Sequence, residues 1–355
     1  MKERTKEIIK DGFGSLVSNA SAMRGAKAGP LWLTIVMFFL AIILPIVPLF
    51  VQQATTNGST FLNTYSFGLE KYVTALAIDL KQTRSAEFII GEDHLLTIKE
   101  AGTEINFSNY DQSIPYATYK NEATGQYDFI VYLSDAIEDK DKTDFVSQKV
   151  AKTNYVMETT NIADMATTEN VYRPSFMVLF KNGCFVAVYA SHSTKGLASS
   201  YYGDYKTIAA NNNCLQSLLT VENYASDLTK AQALADEDYT NGVYTNFKKF
   251  LDKSYETLKI KNTWLTSLIY FGIYFGLSFL MGLLMFLLTR GKNNPNNYFS
   301  LWLCLKIQGR LSFCPGLLTL IIGFFLTNYA PMIFIMMIGL RVMWISMKEL
   351  RPIQR

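Results

Sequence analysis

The chain has 355 residues, of which 49% are hydrophobic, 14% aromatic and only 18% charged, with a formal net charge of +3. Charged residues make up about a quarter of an ordinary soluble domain, so the deficit points to lipid, and a net charge this small gives no argument for nucleic acid. Mean hydropathy is only +0.11 because the apolar residues gather at the two ends, leaving a middle that reads as one water-soluble domain.

The chain opens with a tail, residues 1–30, that carries Lys2, Arg4, Lys6, Lys10, Arg24 and Lys27. Ile9, Phe13, Leu16 and Val17 share one helical face, although Gly12 and Gly14 weaken a helix there. This predicts an amphipathic cytoplasmic stretch on the membrane surface, with Phe13 and Leu16 as candidate lipid or partner contacts. Leu31–Val51 follows as an uncharged apolar run. It is too long for the core of a cleaved signal peptide and long enough to cross a bilayer, so it reads as a retained signal anchor. Pro45 and Pro48 are expected to kink or end it.

Residues 52–262 read as an α+β domain. Phe88–Ile90 and Leu95–Ile98, with Gly91-Glu92-Asp93 between them, predict strand, turn and strand, and Tyr127–Leu133 is a further strand rich in β-branched and aromatic residues. Ser175–Tyr189 predicts a hairpin, with Asn182-Gly183 as a type I′ turn. Lys140–Thr168 is polar and reads as helix plus loop. From Tyr205 onward the pattern turns helical, and Phe247, Leu251, Tyr255 and Leu258 form a stripe that runs on into the second span as a stalk. Cys184 and Cys214 are either a disulfide pair or two buried thiols.

The second span is read as residues 263–289, with Gly272 and Gly276 in GxxxG spacing, then Ser278 and Gly282, as candidate helix-packing positions within the subunit. Residues 290–310 form a basic loop or interfacial helix, where Arg290, Lys292, Trp302, Lys306 and Arg310 are candidate contacts to lipid or a partner. Residues 311–327 and 332–347 read as two thin spans or a re-entrant hairpin, joined by the turn 328–331 and followed by a cytoplasmic tail, 348–355. Arg341 is the one charge inside an apolar run, either functional or snorkelling to the nearby boundary.

The fold class expected is therefore an integral membrane α-helical protein of about four transmembrane helices, with an extracellular α+β domain between the first and second. Lys and Arg in the tail, in the loop after helix two and at the C-terminus place both termini in the cytoplasm of a plasma-membrane protein. Lys248, Lys249, Lys253, Lys259 and Lys261 run against this orientation, but a domain of this size translocates largely regardless of charge.

No GxSxG, P-loop, GxGxxG or paired-histidine spacing occurs, and the two histidines are His94 and His192. No catalysis, cofactor or metal is expected, and no acidic residue lines a transport path. Tyr201-Tyr202 is a candidate sugar-stacking or protein-binding surface.

Three segments carry a resemblance to a family of Gram-positive membrane proteins called maltodextrin-utilisation proteins, a family defined by a domain of unknown function. They are Arg24-Gly25-Ala26-Lys27 directly before the first span, the hairpin Met177–Gly183, and Phe313-Cys314-Pro315-Gly316-Leu317-Leu318, which opens a thin hairpin closing at Met347-Lys348. The resemblance implies a gene neighbourhood with a maltodextrin importer and no assigned chemistry; together with the lack of a catalytic constellation it leads to the expectation of a non-catalytic accessory protein of another membrane complex, such as a maltodextrin or sugar ABC importer. The layout is also similar to an FtsX-like ABC permease subunit, which would couple a cytoplasmic ATPase to the outer domain. A third reading is a membrane-anchored extracellular sensor or binding domain. The partners expected are the lipid bilayer and another membrane complex.

Overall fold

The computed structural model describes residues 14–16, 18–60, 69–109, 115–120, 127–151, 174–188, 199–208, 213–220, 229–290 and 294–350. The chain divides into two compact units, one made of residues 1–55 and 261–355 and the other of residues 56–260.

In the first unit, helix α1 (Asn19–Ala28) starts at Ser18, whose hydroxyl accepts from the Ser21 N–H, and ends at Gly29, whose N–H reaches the Gly25 carbonyl. Helix α2 (Leu31–Ile43) passes through a 3-10 turn, Leu44–Ile46, into α3 (Val47–Thr55). Pro45 and Pro48 therefore tighten the first span without ending it, and helical structure runs on beyond Val51 to Thr55.

The second unit contains α4 (Leu69–Gln82), β1 (Ala86–Ile90), β2 (Leu96–Glu100), β3 (Thr103–Glu104), β4 (Ala117–Lys120), β5 (Tyr127–Ser134), α5 (Asp139–Ala151), β6 (Ser175–Phe180), β7 (Gly183–Val188), β8 (Ser199–Asp204) and the short α6 (Lys230–Ala235). β1, β2 and β3 form a small antiparallel sheet, and β4 to β8 form a five-stranded sheet in chain order. All pairs in the larger sheet are antiparallel except β5 with β6. A parallel pair needs a crossover, and α5 lies in it.

β5, β6 and β7 are buried almost throughout because both sheet faces are covered. Phe129, Val131, Leu133, Met177, Leu179 and Val186 pack with residues of α4 and of the later helix, while Ile130, Tyr132, Phe176, Val178 and Phe185 pack with Phe145 and Val146 of α5. The strands expected at 88–90, 95–98 and 127–133 and the hairpin expected at 175–189 are found as Ala86–Ile90, Leu96–Glu100, Tyr127–Ser134 and the pair Ser175–Phe180 and Gly183–Val188, with Tyr189 outside the described residues.

The hairpin turn differs from the type I′ expectation. Phe180 pairs with Gly183, so the loop is Lys181-Asn182, and Asn182 and Gly183 have no positive φ. Gly183 is a strand residue instead. A Cβ there would collide with the Gly203 carbonyl of β8, so its glycine serves close backbone approach.

Helix α7 runs unbroken from Glu237 to Thr289, so the stripe at Phe247 and Leu251 does continue into the second span. After it come α8 (Leu301–Leu311), α9 (Phe313–Phe325) and α10 (Ala330–Lys348). Among the described residues, four helices are long and apolar enough to cross a membrane: Leu31–Thr55, Glu237–Thr289, Leu301–Phe325 and Thr327–Lys348. The third begins about ten residues before the expected position 311. The stretch read as a basic loop or interfacial helix contains α8, which is followed at once by α9 after the single residue Ser312.

What joins the first and third of these helices is a repeat of small residues. Gly309, Gly316 and Gly323 lie seven apart on one helix, and Thr34, Ala41 and Pro48 lie seven apart on the other. A Cβ on Gly309 would meet Phe38 Cβ at 3.2 Å and Thr34 Cγ2 at 3.6 Å; one on Gly316 would meet the Ala41 oxygen at 2.6 Å; one on Gly323 would meet Pro48 Cγ at 2.9 Å. Spacing by seven keeps the contact on one seam, and small residues let the backbones approach without help from hydrophobic burial.

Candidate functional sites

Two arginines organise the end of the membrane unit that holds α1 and the C-terminal end of α10. Arg310 is 1% exposed. Its Nε donates to Thr34 Oγ1 at 3.0 Å, and its guanidinium lies where any side chain on Gly25 or Gly29 would fall. Gly25 therefore forms a socket, and the Arg24-Gly25-Ala26-Lys27 segment has a local packing role. Arg310 was expected at a lipid or partner surface; its burial under α1 corrects that.

Arg341 donates from Nε to Asn19 Oδ1 at 3.2 Å, from Nη1 to the Leu311 carbonyl at 2.9 Å and from Nη2 to the Ser15 carbonyl. It is held by three protein acceptors. The described part of the tail packs into the unit: Ser21, Ala22, Gly25 and Ala26 are buried, and Ala22 and Ala26 share a core with Ile307, Leu311, Val342 and Ile345, while Ile9 and Val17 of the amphipathic stretch lie outside the described residues. Leu16 is half-buried, and Phe13 lies outside the described residues.

The other basic candidates diverge. Arg290 is exposed and its guanidinium donates to the carbonyls of Asn297 and Phe299, Trp302 is 55% exposed, Lys306 is half-buried with its ammonium 5.9 Å from the Trp302 ring, and Lys292 lies outside the described residues.

The GxxxG positions are split. A Cβ on Gly272 or Gly276 would meet nothing within 4 Å, whereas one on Gly282 would press on Leu305 Cδ2 at 2.7 Å, and Ser278 is fully buried. Packing inside the chain thus uses Ser278 and Gly282, and the expectation that Gly272 and Gly276 serve it is corrected.

In the second unit, Cys184 and Cys214 are buried free thiols. Burial pushes the Cys184 thiol up to about 12 and the Cys214 thiol up to about 11. Tyr201 is buried, and its hydroxyl reaches the Leu251 carbonyl and Ser254 Oγ, each at 3.3 Å. It is a core residue, not half of a stacking platform, while the half-buried Tyr202 leans on Phe185 at 4.7 Å. Burial raises the phenols of Tyr201 and Tyr205 well above their ordinary value. Burial raises the Tyr72 phenol too, helped by the carboxylate of the buried Asp128.

His94 sits in the β1–β2 turn at φ 59°, with its N–H on the Gly91 carbonyl at 3.0 Å; His192 lies outside the described residues. Among the described residues, no group of three His, Cys, Asp or Glu side chains could hold a metal ion.

No family model, no curated protein and no solved structure matches this chain.

Proposed function

We propose that the chain is a non-catalytic accessory subunit that joins another membrane complex, with a sugar ABC importer as the partner class implied by the resemblance. The observation that carries this reading is the face of α7 around Gly272 and Gly276, where none of the described residues comes within 4 Å of a Cβ position. Ile269 and Ile273 beside it are 53% and 48% exposed. Such a face admits a second helix at close range. In this reading both termini are cytoplasmic and residues of about 53–262 are extracellular, which the Lys and Arg of the tail, the loop after the second span and the C-terminus support.

The second reading, a permease subunit coupled to an ATPase, is favoured by one observation. Helix α7 is a single 53-residue element, with residues up to Ile260 in one unit and residues from Lys261 in the other. Extraction in mild detergent with crosslinking and mass spectrometry separates the two. Co-isolation of a complete importer through the Gly272 face supports the accessory role; an ATPase alone, crosslinked to the tail or to residues 290–310, supports the permease. A chain that purifies only as itself under every gentle condition defeats both.

A further inference from the structure

Beside Arg341 the membrane unit has a groove of about 660 Å3. Leu16 and Asn19 line one side and Leu318, Leu340 and Trp344 the other, with Arg341 and Lys348 among the lining residues. Leu340 is 57% and Trp344 60% exposed, so the apolar wall opens sideways.

We propose that this groove is a binding site for one anionic phospholipid of the leaflet on the side of the two termini, its phosphate on Arg341 and Lys348 and its upper acyl chain along Leu318, Leu340 and Trp344. The first argument is charge. The three described acceptors of Arg341 are neutral: two carbonyls and an amide oxygen. Among the described residues no carboxylate forms an ion pair with it. A guanidinium has five N–H donors, and the described bonds occupy three. In a bilayer the anion available to such a cation is a lipid phosphate, which a guanidinium binds well.

The second argument is geometry. Lys348 follows Arg341 by seven residues, two turns along the same face of α10. Its ammonium lies 5.5 Å from the Trp344 ring centre, and tryptophan belongs at headgroup level. Glu349 also lines the groove and leaves it with a net charge of +1 against Arg341 and Lys348. The volume lies within the ordinary range for ligand pockets, and basic pockets between membrane helices are sites for acidic headgroups.

The test uses the full chain purified in mild nonionic detergent and titrated with dioleoyl phosphatidylglycerol or dioleoyl phosphatidylcholine. Native mass spectrometry counts retained lipid, and alkylation of Cys314, a half-buried lining residue, reports occupancy. The expected result is at least tenfold preference for phosphatidylglycerol, with Cys314 alkylation slowed by it. Lys348→Gln should weaken retention about fivefold. Leu340→Trp, which fills the groove without changing charge, should abolish it. Arg341→Gln also removes bonds to Ser15, Asn19 and Leu311 that hold the fold, so those two variants decide. Equal retention of both lipids, retention unchanged in both variants, equal protection of Cys314 by inorganic phosphate, or a protein helix crosslinked in the groove would each overturn the proposal.

Discussion

The Arg341 guanidinium donates at 2.9 Å to the carbonyl of Leu311, the one carbonyl in its helix that Pro315 leaves without a backbone donor. In an α-helix residue 315 would donate to residue 311, and proline has no N–H to give. An unmet carbonyl in a bilayer costs several kcal/mol, so a side chain from the neighbouring span stands in for the missing donor.

This relationship predicts coupling. Arg341→Met should lower stability by about 2–4 kcal/mol, since it removes charge-assisted bonds from buried acceptors. Pro315→Ala restores the donor, so in that background the loss should shrink by about 1 kcal/mol. Thermal unfolding of the four proteins in detergent closes the cycle, and strict additivity would refute the link.

The seven-residue glycine seam predicts a contrast among glycines. Gly316→Leu should destabilise the membrane unit by about 3 kcal/mol or fail to fold, because its Cβ position lies 2.6 Å from the Ala41 oxygen. Gly276→Leu should leave the melting temperature within experimental scatter and instead reduce co-isolation of the partner. Comparable destabilisation by both would show that the α7 face is packed within the chain.

These outcomes bear on what was legible in the sequence. Apolar runs and β-branched strands reveal themselves through composition, so the number of long apolar helices and the strands at 88–90, 127–133 and 175–189 could be read directly. GxxxG drew attention to Gly272 and Gly276, yet four-residue spacing says only that a face is small, not which face is filled. The Gly309, Gly316, Gly323 series was present in the sequence with its complement at Thr34, Ala41 and Pro48, and a search at period seven would have found it. The burial of Arg310 was not legible, because a basic residue near an apolar run looks interfacial until the glycines that receive its guanidinium are known to face it. The type I′ turn failed because one Asn-Gly pair served two demands, and the close approach of β8 to Gly183 prevailed.

The Arg310 socket gives the third prediction. Gly25→Ala places a methyl group where the guanidinium lies, and Gly29→Ala puts one 2.5 Å from Arg310 Nη2. Each should cost about 1–3 kcal/mol by overpacking, whereas Ala20→Leu on the exposed side of α1 should cost under ~0.5 kcal/mol. If Gly25→Ala melts with the parent protein, the tail does not fold over Arg310.

The last prediction concerns the thiols and the sidedness of the membrane. With its thiol pushed up to about 12 against an ordinary value of 9.0, Cys184 stays protonated in the folded domain at neutral pH, and Cys214, at about 11, behaves likewise. The thiolate is the species that reacts, so maleimide at pH 7.5 should label neither until the domain unfolds. The folded state holds these protons more tightly than the unfolded chain. Their contribution to stability is therefore complete below about pH 9 and falls as pH rises toward 11 and 12, by up to about 1.4 kcal/mol per pH unit for each thiol. The buried phenols of Tyr201 and Tyr205 act in the same direction. Denaturant midpoints taken from pH 8 to pH 11 should thus fall steeply, and Cys184→Ala should flatten the curve; an unchanged slope would mean that the thiol is solvated. Because Cys184 and Cys214 are silent, a cysteine introduced at Asn121 becomes a clean topology probe once the half-buried Cys314 is replaced by serine. Impermeant maleimide should label it in intact cells, and labelling only after permeabilisation would place residues 53–262 inside and invert the proposed orientation.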